Sequence, residues 1–232
     1  MGREPSQAAA RYLEAIYYLV HEGEEVRPGR LAEWLSVSPP TVTTAVHRLA
    51  RDGLVTVGTD RRVRLTPAGE AAAASVVRRH RVVECWLTGE LGLDWATADA
   101  EAERVSYALS DTVLDRLYQR LGSPSTCPHG NEIPGAPHEE RGLVHLGAMR
   151  SGIPATVARI SELAEHEAPA VLGLLDRQGL VPGTVVVRLD SADPGVVRLQ
   201  VGQDEVVVSA ATAALVWVHQ PPGPSGGAGA GS

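Results

Sequence analysis

His80 and Glu84 lie four residues apart in a stretch whose apolar residues recur at helical spacing. On an α-helix this spacing places both side chains on one face, so an imidazole and a carboxylate point the same way. Nitrogen and oxygen ligands together suit divalent ions of intermediate hardness, namely Fe(II), Mn(II), Co(II) and Zn(II). The pair is a candidate half-site for a metal ion, although this spacing is also typical of a solvated helix face.

The helix that carries this pair is predicted from about Ala68 to Leu91, because Thr66 and Pro67 suit a helix start. Amphipathic helices are predicted after it at about Ala98–Leu109 and Asp111–Leu121. Their apolar stripes have little else to pack against, so the sequence predicts a homodimer with isologous pairing.

A second group of residues suited to chemistry starts at Ser38, a favoured N-cap, with Pro39 at the first helical position. The predicted helix ends at Asp52 and follows a short helix at Arg27–Leu35. Two such helices joined by a few residues are typical of a helix-turn-helix, whose second helix enters the DNA major groove. The residues predicted to contact DNA from this helix are Ser38, Pro39, Pro40, Thr41, Thr43, Thr44 and Arg48.

A hairpin is predicted next, with strands at 54–57 and 63–66 around a basic tip that carries Arg61 and Arg62. A hairpin in this position is typical of the wing of a winged helix-turn-helix, and its arginines are expected to contact flanking phosphates. The alternative is a three-helix packing unit with a hairpin that serves protein contacts.

Composition narrows the class of protein. The net charge is −7, but residues 1–80 carry +2 and the remainder carries −9, which is compatible with an N-terminal DNA-binding region. No stretch approaches the roughly 18 apolar residues of a membrane span, and no signal peptide is evident. Cys85 and Cys127 are the only cysteines, so we expect a cytoplasmic protein without a disulfide framework. No nucleophile motif or phosphate-binding loop is present, and we therefore expect no enzyme.

Four segments carry a resemblance to a known family: SPPTVTTAVHRLARDGLV from Ser38, DRRVRLTPAGE from Asp60, RRHRVVECWLTGELGLD from Arg78 and CPHGNEIPG from Cys127. In this order they resemble the diphtheria-toxin-repressor family of metal-dependent transcriptional regulators, including its manganese-sensing branch. The resemblance covers about residues 7–220. It implies a homodimer that binds a palindromic operator on double-stranded DNA when loaded with iron(II) or manganese(II).

The resemblance also implies the architecture. We expect a mainly α fold with a small β part: a winged helix-turn-helix at 1–74, a helical dimerisation and metal-binding domain at 75–142, and an SH3-like β barrel at 143–220. Helices are expected at Arg159–Glu167 and Val171–Leu180, before the strands of the barrel. The Pro- and Gly-rich segment 221–232 is expected to be a disordered tail.

Two metal sites are implied by the family. His80 and Glu84 match its ancillary site, whose other positions fall on Asp99, where the family commonly has His, and on Glu167, with His166 as a possible substitute donor. The segment Cys127-Pro128-His129 suggests a soft-metal or redox site, but we interpret it as an ordinary loop of the family.

The primary, activating site departs from the family pattern. Its positions read Arg11, Glu103, Ser106 and Tyr107, and only Glu103 among them ligates a hard cation well. Glu14 matches a carboxylate of the manganese branch, so Glu14 and Glu103 form at most a weak remnant. We hypothesise that Arg11 replaces the ion by pairing with both carboxylates, the alternative being an exposed arginine at a helix start.

Three functions follow from these observations. The first is a metal-activated transcriptional regulator, in most such cases a repressor. The second is a regulator of the same family that binds DNA independently of metal because its primary site is degenerate. The third is a cytosolic metal-handling or interaction protein without DNA binding.

Overall fold

The computed structural model describes residues 5–137 and 142–221, without the side chain of Glu167. The segment predicted as a disordered tail lies, beyond Pro221, outside the described residues. Contacts divide the chain into two units, one formed by residues 1–139 with 161–174 and the other by residues 140–160 with 175–232. The described helices include none that is both long and apolar enough to cross a membrane.

The first unit begins with a helix, followed by the two predicted helices of the helix-turn-helix and the predicted hairpin. Their bounds are α1 (Gln7–His21), α2 (Pro28–Trp34), α3 (Pro39–Arg51), β1 (Val55–Val57) and β2 (Val63–Leu65). Ser38 caps α3 by accepting a hydrogen bond from the backbone N–H of Thr41. Leu13, Ile16 and Leu49 are among the buried residues of the core that these elements share.

The long helix α4 (Pro67–Gly89) follows, with α5 (Trp95–Val105), a 3-10 turn (Ser106–Ala108) and α6 (Asp111–Arg120). Thr66 caps α4 through its hydroxyl. Gly69 in the first turn lies so close to the hairpin that a Cβ there would come within 1.8 Å of the Leu54 carbonyl oxygen. This contact fixes α4 against the winged domain.

After the first strands of the second unit, the chain returns to the first unit as α7 (Glu162–Glu167), which α8 (Pro169–Arg177) follows. The helix predicted at Arg159–Glu167 begins later than expected, because Arg159 and Ile160 are the last two residues of a strand and Ser161 is the N-cap of the helix. Side-chain atoms of Glu22 accept hydrogen bonds from the Ser161 hydroxyl (2.8 Å) and from the Glu162 backbone N–H (3.1 Å). These bonds tie α7 to the end of α1.

The second unit is an antiparallel sheet of six strands in the order β3-β8-β4-β5-β6-β7. Its elements are β3 (Leu143–His145), β4 (Pro154–Ile160), β5 (Val185–Leu189), β6 (Val196–Val201), β7 (Asp204–Ser209), the short α9 (Ala210–Ala213) and β8 (Val216–His219). Three of these strands, β3, β4 and β8, were not predicted from the sequence. The predicted class, mainly α with a small C-terminal β part, is confirmed. The domain boundaries stay predictions.

Candidate metal centre and nucleic-acid interface

Glu84, on the inward face of α4, is the centre of a buried polar cluster. Its side chain is only 1% exposed, and its Oε1 has no hydrogen-bond partner among the described residues. His80, one turn earlier, places Nε2 3.6 Å from that oxygen and 3.2 Å from Oδ1 of Asp99 on α5. The structure thus brings together three of the four residues predicted for the ancillary site.

A second set of side chains reaches Glu84 from the opposite side. The turn that follows α6 places His129 Nδ1 3.4 Å from Glu84 Oε1 and 3.2 Å from Oε1 of Glu165 on α7. Cys127 Sγ lies 4.0 Å from the same His129 nitrogen. Asn131, in the same turn, donates a hydrogen bond of 2.8 Å to Glu165 Oε1. One turn therefore contributes a thiol and an imidazole and orients a carboxylate.

The electrostatics of the cluster favour a cation. Burial lowers the pKa of His80, but nearby Glu84 and the hydrogen bond to Asp99 outweigh it, so this pKa lies well above its usual value. Burial likewise lowers the pKa of His129, but Glu165 and Glu84 outweigh it and raise this pKa well above its usual value. Burial alone would raise the pKa of Glu84, yet the two histidines hold it well below its usual range. Positive charge is thus stabilised at this point.

Some predicted ligands lie elsewhere, and others were missed. The backbone of Glu167 ends α7, and its side chain lies outside the described residues. His166 lines the same cavity as His80 and Asp99, but its contacts are with Trp34: the two ring centroids lie 4.2 Å apart, and His166 Nε2 lies 2.6 Å from the Trp34 carbonyl oxygen.

From the sequence, Cys127 and His129 were interpreted as part of an ordinary loop of the family, and Glu165 was not considered. A thiol and an imidazole at Cys-x-His spacing were the available signal for the first two. No local pattern points to Glu165, because only the folded chain brings α7 to α4.

Residues at the predicted primary site contact other residues of the protein directly. Arg11 Nε lies 3.5 Å from Glu103 Oε1, and both side chains are about half exposed, at 51% and 58%. The Tyr107 hydroxyl donates a hydrogen bond of 2.8 Å to the carbonyl oxygen of Pro5, just before α1. Ser106 is buried in the 3-10 turn.

Glu14 is separate from this pair. Its Oε1 lies 3.7 Å from His80 Nδ1 and accepts a hydrogen bond of 3.1 Å from the Tyr18 hydroxyl. Burial raises its pKa. The predicted pairing of Arg11 is therefore seen with Glu103, while Glu14 belongs to the surroundings of His80. Both sets of residues line one cavity of about 50 Å³, whose lining includes Arg11, Glu14, His80, Asp99 and Glu103.

The N-terminal turn of α3 presents small, exposed side chains whose hydroxyls are already hydrogen-bonded. The hydroxyls of Ser38 and Thr41 lie 2.8 Å apart. Thr43 and Thr44 each donate to the carbonyl oxygen four residues earlier, at 3.0 Å. Their hydroxyl hydrogens are thus engaged within the helix, and the γ-methyl groups and the oxygen lone pairs remain for contacts with a partner. Pro39, Pro40 and Arg48 are exposed on the same helix.

In the hairpin tip, Asp60 organises the surrounding arginines. Its carboxylate accepts hydrogen bonds from the Arg62 backbone N–H (3.1 Å) and from Arg64 Nη2 (2.6 Å), and these contacts lower the pKa of Asp60 to about 2. Arg62 also forms an ion pair with Glu25. Arg61 has a positive φ of 61°, so its backbone lies in the left-handed region and not in the extended conformation of the two strands.

Comparison with known proteins bears on both regions. Residues 6–63 match a family model described as iron dependent repressor, N-terminal DNA binding domain, and residues 66–135 match one described as iron dependent repressor, metal binding and dimerisation domain. The iron-dependent repressor IdeR of Mycobacterium tuberculosis is 35% identical over 208 residues, covering 85% of this chain and 90% of that protein. The chain belongs to the iron-dependent repressor family.

Other members of the family agree. The diphtheria toxin repressor of Corynebacterium diphtheriae is 37% identical over 179 residues, covering 71% of this chain and 77% of that protein. A manganese-dependent transcriptional repressor solved with manganese has 31% identity and a TM-score of 0.81, covering 92% of this chain and 100% of that chain. ScaR solved with bound Zn²⁺ has 26% identity and a TM-score of 0.75, covering 94% of this chain and 100% of that chain.

Membership in the iron-dependent repressor family confirms the resemblance inferred from the four sequence segments. The protein is a metal-responsive DNA-binding regulator with a dimerisation domain, and its family consists of repressors rather than enzymes. The expected cofactor, a divalent iron or manganese ion, is confirmed at the level of the family.

Proposed function

We propose that this protein is a homodimeric repressor that binds a palindromic operator when a divalent ion, Fe(II) or Mn(II), occupies the cluster around Glu84. The observation that carries the proposal is the unpartnered, buried Oε1 of Glu84 between two histidines. A buried carboxylate oxygen without a hydrogen bond is costly, and a metal ion would satisfy it. In this proposal the protein binds DNA in the cytoplasm.

Ligands for this ion come from three separate parts of the chain. Glu84 lies on α4, Cys127 and His129 lie in the turn after α6, and Glu165 lies on α7. These residues together would hold an ion, which would supply there the positive charge that protons otherwise supply. In this proposal Glu165 performs the role that the sequence analysis gave to Glu167.

The donor set favours iron(II) over manganese(II). Carboxylate and water ligands suit manganese, whereas imidazole and thiolate ligands suit softer ions such as iron and zinc. Burial raises the pKa of the Cys127 thiol to about 11, so this thiol would have to release its proton in order to bind an ion as a thiolate. We therefore propose that Fe(II) is the activating ion.

Recognition of DNA is proposed for the N-terminal turn of α3. Its exposed prolines and the γ-methyl groups of Thr43 and Thr44 suit van der Waals contact with thymine methyl groups. Ser38, Thr41 and Arg48 flank these groups, and we propose that Arg48 contacts phosphate. The wing adds phosphate contacts that carry no sequence information.

One observation favours a second candidate, a repressor that needs no metal. The Arg11–Glu103 pair connects α1 to α5, and the bond from Tyr107 to Pro5 connects the segment before α1 to the 3-10 turn that follows α5. In this alternative the two contacts hold α1 in the DNA-binding position permanently. Because the ion pair is half exposed, it contributes no more than about 1 kcal/mol, which is a weak substitute for an ion.

Fluorescence anisotropy on the protein's own promoter DNA tests both candidates. We expect operator binding with Fe(II) under anaerobic conditions and at least tenfold weaker binding with chelator, and we expect Glu84→Gln to remain weak in both. Glu90→Gln, an exposed change at the end of the same helix, serves as the matched control. Equal binding with chelator would contradict metal activation, and loss of that binding in Tyr107→Phe would support the second candidate.

A further inference from the structure

The solvent side of α3 carries a line of exposed side chains that runs along the helix. The line consists of Pro40, Thr43, Thr44 and His47. Seven residues of α-helix drift by only about 20° from two full turns, so His47 lies nearly in line with Pro40. At about 1.5 Å of rise per residue the line is about 10 Å long, which corresponds to about three base steps of DNA.

His47 is the member of this line whose hydrogen-bond donor is unused. Thr43 and Thr44 each donate their hydroxyl hydrogen to the carbonyl oxygen four residues earlier, at 3.0 Å. Pro40 has no side-chain donor. Within the part of the chain that the structure describes, His47 forms no hydrogen bond, ion pair or ring contact. An imidazole carries at least one N–H in either protonation state, so this donor is available to a partner.

The length of each side chain matches its place along the helix. A recognition helix enters the major groove with its N-terminal residues closest to the base edges, and there α3 has a proline and two threonines. His47 lies in the third turn, where a straight helix has begun to diverge from the curved groove. The ring nitrogen Nε2 of a histidine extends about two bonds further from the backbone than a threonine methyl group. His47 can therefore reach a base edge from this more distant turn.

The chemistry of His47 complements that of the threonines. Methyl groups contact the methyl group of thymine, and they offer nothing to guanine, which presents the acceptors N7 and O6 in the major groove. A donor is needed to read guanine. Arg48 lies about 100° around the helix from His47 and is proposed to contact phosphate. Arg51, one turn beyond His47, donates to the Asp52 carboxylate at 3.3 Å.

We propose that His47 is a specificity-determining residue that donates a hydrogen bond from its ring to guanine N7 in each half of the operator. The inference rests on the proposed function for DNA binding by α3, and it adds a base that the threonine methyl groups cannot read. Contacts to base edges carry sequence information, whereas contacts to phosphates do not. The loss of this contact should therefore weaken specific binding alone.

Fluorescence anisotropy of the full-length, metal-loaded protein on its own promoter DNA tests the proposal. Each guanine of the operator is replaced in turn by 7-deazaguanine, which forms normal base pairs but lacks N7. We expect the wild type to lose about fivefold or more in affinity at one guanine of each half-site, as for a lost base contact.

Variants of His47 assign that guanine to the ring. His47→Ala should bind the intact operator at least about fivefold more weakly, show no further loss at that guanine, and keep its affinity for scrambled DNA within about twofold. His47→Gln should instead prefer adenine at the same position, because a glutamine amide pairs with adenine N6 and N7. Glu90→Gln, at the exposed end of α4, is the matched control and should behave as wild type.

The outcomes separate this inference from the proposed function. Equal weakening of operator and scrambled DNA in His47→Ala would overturn the inference and assign the ring to a phosphate. A 7-deazaguanine profile that is the same in His47→Ala and wild type would overturn it as well. In both cases the proposed function would stand. Failure of the metal-loaded wild type to bind its promoter DNA would overturn both. His47→Gln alone decides the question by its base preference should His47→Ala fail to fold, as judged by circular dichroism.

Discussion

Arg61 and Arg62 are adjacent arginines of the wing, and the structure predicts different effects of replacing them. Arg62 forms an ion pair with Glu25, and its Nε lies 3.4 Å from Asp60 Oδ2. No ion pair is described for Arg61. We expect Arg61→Ala to remove a phosphate contact. We expect Arg62→Ala to remove only exposed ion pairs, at a cost to stability of about 0–1 kcal/mol.

The magnitude follows from counterion release. Each phosphate contact contributes about 0.9 to the slope of log K against log salt, so the two wings of a dimer contribute about 1.8. Over a fourfold rise in salt, from about 50 to 200 mM, wild type should therefore lose about 12-fold more affinity than Arg61→Ala.

Anisotropy of metal-loaded protein on operator DNA, repeated over a series of KCl concentrations, measures this slope. Arg62→Ala should retain the wild-type slope, and Asp60→Asn should steepen it, because Arg64 is then freed to meet phosphates while Glu25 still pairs with Arg62. Equal changes of slope in Arg61→Ala and Arg62→Ala would refute the reasoning, as would a shallower slope in Asp60→Asn.

Three further predictions concern the recognition helix and the core. Thr44→Val keeps a methyl group and should leave specific affinity within about twofold, whereas Thr44→Ser should weaken operator binding without changing binding to scrambled DNA, as measured by competition. Gly69→Ala should destabilise the protein by about 1–3 kcal/mol, since its Cβ would collide with the Leu54 carbonyl, while Gly89→Ala, which meets nothing within 4 Å, should be neutral or stabilising in the same denaturant titration. Leu13→Ala, at a fully buried position, should cost about 2–5 kcal/mol, and an unchanged midpoint would contradict the described core.

Local signals in the sequence were sufficient for much of the fold. Caps and prolines located α3 and α4 to within two residues, because Ser38 and Thr66 act on their own helices. The strand before Ser161 was missed and the helix after it misplaced, since apolar and charged residues there have no clear period. The half of the proposed metal centre on α4 was predictable from its i, i+4 spacing. The half that uses Glu165 depends on long-range packing, which no local pattern records.

Because residues 161–174 belong to the first unit, proteolysis or truncation after residue 142 would remove more than the β-sheet. Such a fragment loses Glu162, which pairs with the guanidinium of Arg81, a residue only 5% exposed. A buried cation left without its partner typically costs about 3–5 kcal/mol, a large share of a small domain's stability. The fragment would also lose Glu165. We therefore expect an intact, metal-binding domain to need a longer piece of chain than the segment 6–135 that the family models match.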